Sequence, residues 1–367
     1  MPSILDLVKE ARRTDSSDLE VAVGEAVAFK RLGRIEIDRE RQVTTEDVRA
    51  FLNELLGPKQ FDLLQESKRG SIEGRYQDDV TGPLRIHAYR AFGKPAVSIR
   101  LLHRVVPDFD DLGLPDHLGQ PLVILPGGLV LVYGPTGSGK TTYLATLLKL
   151  IGNTPLDRGG GKHIISICDP AEYLQKFVYS TSRILEVGVD VDSYETAIEG
   201  VLRKNPSVVE LAEARSARAM FGGLSSAEAG HLTFMVVHAK SHTGAIERIV
   251  SAFPPEQQQQ IRVVLADVLE AAVGLRLILS SDGKTRIPVW EFLKATPNIR
   301  QKIREGKTSH ITAEVTSNGQ LGMLTLEQCL AERVKQGRLT REVARLHAPD
   351  KDAFDKLATP GAGVRSA

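Results

Sequence analysis

Apolar positions along the chain change their period twice, and the changes mark out its organisation. In the first hundred residues, segments with apolar residues three and four apart (ILDLVKEARR, TEDVRAFLNELL) predict amphipathic helices. They alternate with PLRIHAYRAF and PAVSIRLLHR, whose period of two predicts strands joined at Gly93-Lys94. From Leu122 the pattern becomes short apolar runs (GLVLVY, HIISIC, SVVELA, LTFMVV) separated by helical stretches such as TTYLATLLKLI, which indicates a parallel, doubly wound sheet. After Trp290 helical periodicity dominates, and LEQCLAERVKQG places Leu326, Leu330 and Val334 on one face.

These patterns predict an α/β chain in pieces: a small α+β domain over 1–110, a linker rich in Pro, Gly and Asp over 111–121, and an α/β core over 122–290. A helical subdomain over 291–355 and a disordered tail over 356–367 complete it. At 367 residues, 42% hydrophobic and 25% charged, the composition is that of a globular protein of two or three domains. The net charge of +1 argues against a nucleic-acid binder, so any charged site is local. Cys168 and Cys329 form no disulfide framework or zinc spacing, which fits a reducing cytoplasm. The N-terminus MPSILDLVKEARRT lacks an export signal. The most apolar stretch, LVILPGGLVLVY, is too short to span a bilayer, so work at a membrane requires docking to a partner there.

Gly134-Pro135-Thr136-Gly137-Ser138-Gly139-Lys140-Thr141, followed by Thr142, satisfies the pattern G-x-x-x-x-G-K-[ST] directly between a predicted strand and a predicted helix. Backbone N–H groups of such a loop converge on phosphates, Lys140 meets the β- and γ-phosphates of ATP, and Thr141 can hold Mg²⁺. Hydrolysis needs a further carboxylate. RKNPSVVELAEAR offers Glu210 in the middle of a predicted strand and Glu213 at its end, while ICDPAEY offers Asp169 and Glu172.

In their order, ICDPAEY, RKNPSVVELAEAR and AGHLTFMVVHAKSHTGAIERIVSAFP resemble the Asp box, Walker B and His box of the secretion ATPase superfamily of type II and type IV secretion and type IV pili. SSDLEVAVG, EVGVDVDSYETAIEGVLRKNP, NIRQKIREGK and GQLGMLTLEQCLAE extend the resemblance to PilT-like retraction motors along nearly the whole chain. The resemblance implies a PAS-like N-terminal domain, a RecA-like P-loop ATPase domain and a homohexameric ring that docks from the cytoplasm on an inner-membrane platform or channel protein. Nucleotide lies between the two domains and against a neighbouring subunit. It makes Glu213 the catalytic glutamate, with Glu172 and Asp169 as Asp-box carboxylates. His231 and His238 sense the γ-phosphate or line the interface, and Arg85 and Arg100 reach the nucleotide.

Arg248 and Arg276 match family positions but fit packing or surface roles equally well. The spacing of His231, His238 and His242 does not suit zinc. Cys168, Ala212 and Ser216 depart from the family pattern, and Cys168 reads as a small buried residue rather than a redox sensor. Glu210 stands where relatives carry an aliphatic residue. Pairing with an arginine, at an interface if not within the chain, is preferred for it to a catalytic role. The expected function is ATP-driven pilus retraction. A conjugation or type IVB secretion motor similar to DotB and a hydrolysis-poor accessory paralogue are the alternatives; a RecA-type helicase lacks the aromatic and basic strands it would need.

Overall fold

The computed structural model describes residues 3–66, 70–102, 105–156, 160–173 and 175–358. The chain divides into two compact units, Met1–Val105 and Val106–Ala367.

The first unit is an antiparallel sheet of six strands: β1 (Asp18–Ala22), β2 (Ala26–Arg31), β3 (Arg34–Gln42), β4 (Ser71–Tyr76), β5 (Leu84–Ala91) and β6 (Lys94–Leu101), in the order β3-β2-β1-β6-β5-β4. Two helices lie where periodicity predicts them, Ile4–Arg13 and Thr45–Leu55. Ser3 with Asp6 and Thr44 with Asp47 close capping boxes that satisfy their first N–H groups. Leu7, Val8 and Ala11, and Val48, Phe51 and Leu52, bury one face of each helix in a core shared with Leu19, Ile86 and Val97. The β5–β6 hairpin turns on Phe92-Gly93 rather than Gly93-Lys94. Both turn residues have positive φ (50° and 76°), as a two-residue turn matched to strand twist requires.

The second unit is a seven-stranded sheet: β7 (Gly128–Tyr133), β8 (His163–Cys168), β9 (Thr181–Glu186), β10 (Val208–Leu211), β11 (Leu232–Val237), β12 (Leu269–Leu279) and β13 (Arg286–Lys294). The order is β13-β12-β7-β11-β10-β8-β9, and every pairing is parallel except β12 with β13. Alternation along β7 shows why both faces need cover. Leu129 and Leu131 enter a core with the helices Ala217–Glu228 and Pro255–Val268, whereas Val130 and Val132 enter one with Lys140–Asn153 and Leu326–Lys335.

The segment expected as a linker, 111–121, belongs to the second unit. Leu118 is fully buried there with Phe109 and Leu122, and Lys149 and Thr146 donate to the carbonyls of Val106 and Pro107. Sparse apolar anchors between prolines make it a packed, irregular strap. At the other end, β13 runs on to Lys294 before the helices Pro297–Arg304, Ile311–Ser317, Leu326–Lys335, Arg341–His347 and Lys351–Leu357. Of the expected tail, residues 356 and 357 close the last helix, and 359–367 lie outside the described residues. Among the described residues no helix is long and apolar enough to cross a membrane.

Candidate active site

The phosphate loop occupies the bend between β7 and the helix Lys140–Asn153. At Gly134 a Cβ would lie 2.3 Å from the Leu275 carbonyl oxygen, so no side chain fits against β12. Gly137 and Gly139 have φ of 74° and 90°, a left-handed backbone that favours glycine. Pro135, Thr136 and Gly137 form the exposed crest, while Ser138 and Lys140 turn inward, Lys140 to 8% exposure. Lys140 Nζ donates to the carbonyls of Gly134 (2.9 Å) and Pro135 (2.8 Å), which folds the side chain back into its own loop. Burial pushes its pKa down, and the carboxylates of Glu213 and Glu172 oppose that shift. The loop, the helix start and this cation together make an anion site of the phosphate-binding kind.

The carboxylates come from neighbouring strands at the same C-terminal edge of the sheet. Glu213 follows β10 and is clamped on both oxygens. Arg215 Nη2 lies 2.6 Å from Oε2, and His238 Nε2, just past the end of β11, lies 2.6 Å from Oε1. The Arg215 hydrogen bond, with that of His238 and against partial burial, holds Glu213 below the usual carboxylate range, so it stays ionised throughout neutral pH. Asp169 and Glu172 follow β8 on the next strand outward. Their loop is tied to the P-loop helix by a 3.0 Å hydrogen bond between the hydroxyls of Thr142 and Tyr173. Tyr173→Phe removes that tie at a cost of about 1 kcal/mol. Amide exchange across 169–173 is expected to quicken about fivefold, read by hydrogen–deuterium exchange.

A narrow cleft opens beside Thr141, lined also by Ser166, Cys168, Glu172, Gln175 and Glu210. Its oxygen donors suit a hard divalent cation. No cluster of three or more His, Cys, Asp or Glu side chains forms a cage among the described residues. Glu210 is 6% exposed, level with Ser166 on β8. Burial raises its carboxyl to about 7, with the Ser166 hydrogen bond opposing and Glu172 adding to the rise. No arginine stands among these influences, so the pairing expected within the chain gives way to a hydroxyl partner at the cleft.

The second unit therefore gathers Gly134–Thr142, Asp169, Glu172, Glu213 and His238 along one sheet edge. It does not bring His231 there. His231 precedes β11, whose residues Leu232 to Val237 run in register with Gly128 to Tyr133, so it sits at the opposite edge, roughly 20 Å from His238 at strand rise. Its Nδ1 lies 3.0 Å from the Ser226 carbonyl. His242 likewise has its own partner, a buried 3.0 Å contact with Glu291. Arg276 holds the loop after β11 by donating to the Lys240 carbonyl, and Arg248 is exposed. Arg85 and Arg100 are in the first unit, opposite each other on β5 and β6, where they pair with Glu73 and Asp18.

Two tyrosines of this edge escape local sequence reading. One is Tyr173. The other is Tyr194, whose hydroxyl is buried without a protein partner; burial first, then Cys168, Asp169, Glu213 and Glu210, push its pKa up. The motif EVGVDVDSYETAIEG contains Tyr194, but only the fold shows that it faces the carboxylates.

Residues 80–345 match the family model described as type II/IV secretion system protein. The chain is 29% identical over 353 residues to the type IV pilus retraction ATPase PilT of Pseudomonas aeruginosa, covering 96% of this chain and 99% of that one. Among solved structures it superposes on the pilus retraction motor PilT with bound ADP at a TM-score of 0.83 and 31% identity, covering 97% and 100% of the two chains. DotB of Legionella pneumophila gives a TM-score of 0.79 at 18% identity, covering 94% of each chain, and shares the fold. The match to PilT supports reading the second unit as a RecA-like ATPase domain preceded by an α+β domain.

Proposed function

The chain belongs to the type II/IV secretion system protein family, and on that premise we propose that it is an ATP-hydrolysing motor that powers retraction of a type IV pilus. The observation that carries this reading is the pairing of a P-loop lysine with a doubly clamped, ionised Glu213 on one sheet edge, in a chain similar over its length to PilT.

The roles follow from the chemistry. The N–H groups of the loop and Lys140 bind and orient the β- and γ-phosphates. Thr141 offers its hydroxyl to Mg²⁺, which when bound neutralises charge on those phosphates. Glu213 orients the attacking water. The hydrogen bonds from Arg215 and His238 make it a weak base, so its part is alignment more than proton removal. His238 links the water-orienting group to the end of β11 and so responds when the γ-phosphate is lost. Asp169 and Glu172 flank the metal side. In this reading six copies close into a ring, Arg85 and Arg100 reach nucleotide from the N-terminal domain, and nucleotide-driven alternation between two domain arrangements pulls on a platform protein at the cytoplasmic face of the inner membrane.

Three measurements test this. The purified chain should turn over ATP well above the rate of Lys140→Ala and should assemble as a hexamer by native mass spectrometry with nucleotide. Deletion in the host should leave pili extended and abolish twitching. Loss of conjugative transfer with normal twitching would replace retraction by a secretion role, and turnover equal to that of Lys140→Ala would end the motor reading.

A further inference from the structure

Glu210 is a buried carboxyl to which the roles above assign nothing. It sits mid-strand on β10, in register with Ser166 of β8 and Phe234 of β11. Two residues away, Val208 packs in the core covered by the P-loop helix, so strand alternation turns Glu210 to that same side. There it lines the cleft with Thr141 of the helix's first turn, Ser166 and Glu172.

None of the described residues lining this cleft is cationic. A buried carboxyl without a counter-charge is costly, and a strand position next to valine and leucine has a cheaper solution in another aliphatic residue. The cleft holds a second buried acceptor, the side-chain oxygen of Gln175, which has no protein partner. Around Thr141 the cleft therefore presents the carboxyls of Glu172 and Glu210 and the Gln175 oxygen, with no cation among its described lining. That is an environment for a hard cation with its water shell.

We propose that Glu210 is a positioning residue for the nucleotide's magnesium ion, holding from the β10 side, through water, a cation bound at Thr141. The inference rests on the nucleotide-site reading given above. Outer-shell carboxylates of this kind orient metal-bound waters, and their loss typically weakens metal affinity 10- to 100-fold.

The test separates metal from nucleotide. Wild type, Glu210→Gln and Glu210→Leu are titrated with a fluorescent ADP analogue in EDTA and again across a magnesium series, with circular dichroism verifying the fold. Glu210→Gln keeps the shape and hydrogen-bonding capacity; Glu210→Leu suits the apolar strand should the amide be poorly tolerated. The expected result is equal affinity in EDTA for all three proteins, with the half-saturating magnesium concentration raised about tenfold or more in both variants. An unchanged magnesium requirement in a folded variant, or an affinity loss of the same size in EDTA as in magnesium, overturns the inference. A wild type that binds the analogue in neither condition defeats the underlying nucleotide-site reading and takes this inference with it.

Discussion

Replacing Glu213 by Gln is expected to lower the maximal rate of ATP turnover by about 10²- to 10⁴-fold while leaving the affinity for nucleotide within a few-fold of wild type. The reason is the geometry of the clamp. Glu213 accepts from Arg215 on one oxygen and meets His238 on the other, so its charge and orientation are fixed before substrate arrives. Gln is neutral and has one acceptor oxygen where two are used, so the ion pair with Arg215 is lost and the side chain can no longer accept from both partners at once. Phosphate binding depends on the loop and Lys140, which this change does not touch, so the loss falls on kcat rather than KM. Single-turnover hydrolysis beside equilibrium binding of an ATP analogue separates the two. The pH profile provides a second check. Because Glu213 is held below the usual carboxylate range, it loses its proton below its ordinary value of 4.5 and stays charged as pH rises. An acidic limb near pH 6 or 7 that disappears in Glu213→Gln would contradict a permanently ionised glutamate.

How much of this was legible in the sequence depends on how local each feature is. The phosphate loop is nine consecutive residues whose strand and helix neighbours carry their own periodicity, and the two capped N-terminal helices are equally self-contained. The strap after Val105 reads as a linker because Pro, Gly and Asp dominate its composition while its three anchors, Phe109, Leu118 and Leu122, are spread over fourteen positions. The motif groups His231 with His238, yet the run between them argues otherwise. A strand of six residues, Leu232–Val237, separates its two flanking positions to opposite edges of a parallel sheet. Tyr173, Tyr194 and the surroundings of Glu210 had no local signal. Each depends on which strands become neighbours, and in the order β7-β11-β10-β8 adjacent strands lie some 20 to 100 residues apart in the chain.

Glu210→Leu is expected to stabilise the second unit, and by an amount that depends on pH. In the folded chain the carboxyl titrates near 7 against an ordinary value of 4.5. Between those values the native state keeps a proton that the unfolded state has released, so wild-type stability falls as pH rises through that window. The shift corresponds to on the order of 3 kcal/mol, fully expressed above pH 7 and absent below about 4.5. Leucine has no such dependence. Its advantage over glutamate should therefore grow by about 3 kcal/mol from pH 4.5 to pH 8, set against about 1 kcal/mol lost when the Ser166 hydroxyl gives up its acceptor. Denaturant unfolding of both proteins in EDTA at several pH values measures this as a difference, in which titrations common to the two chains cancel. A difference that stays flat across the window would mean that the folded protein keeps Glu210 ionised, its carboxylate solvated within the cleft it shares with Thr141 and Ser166.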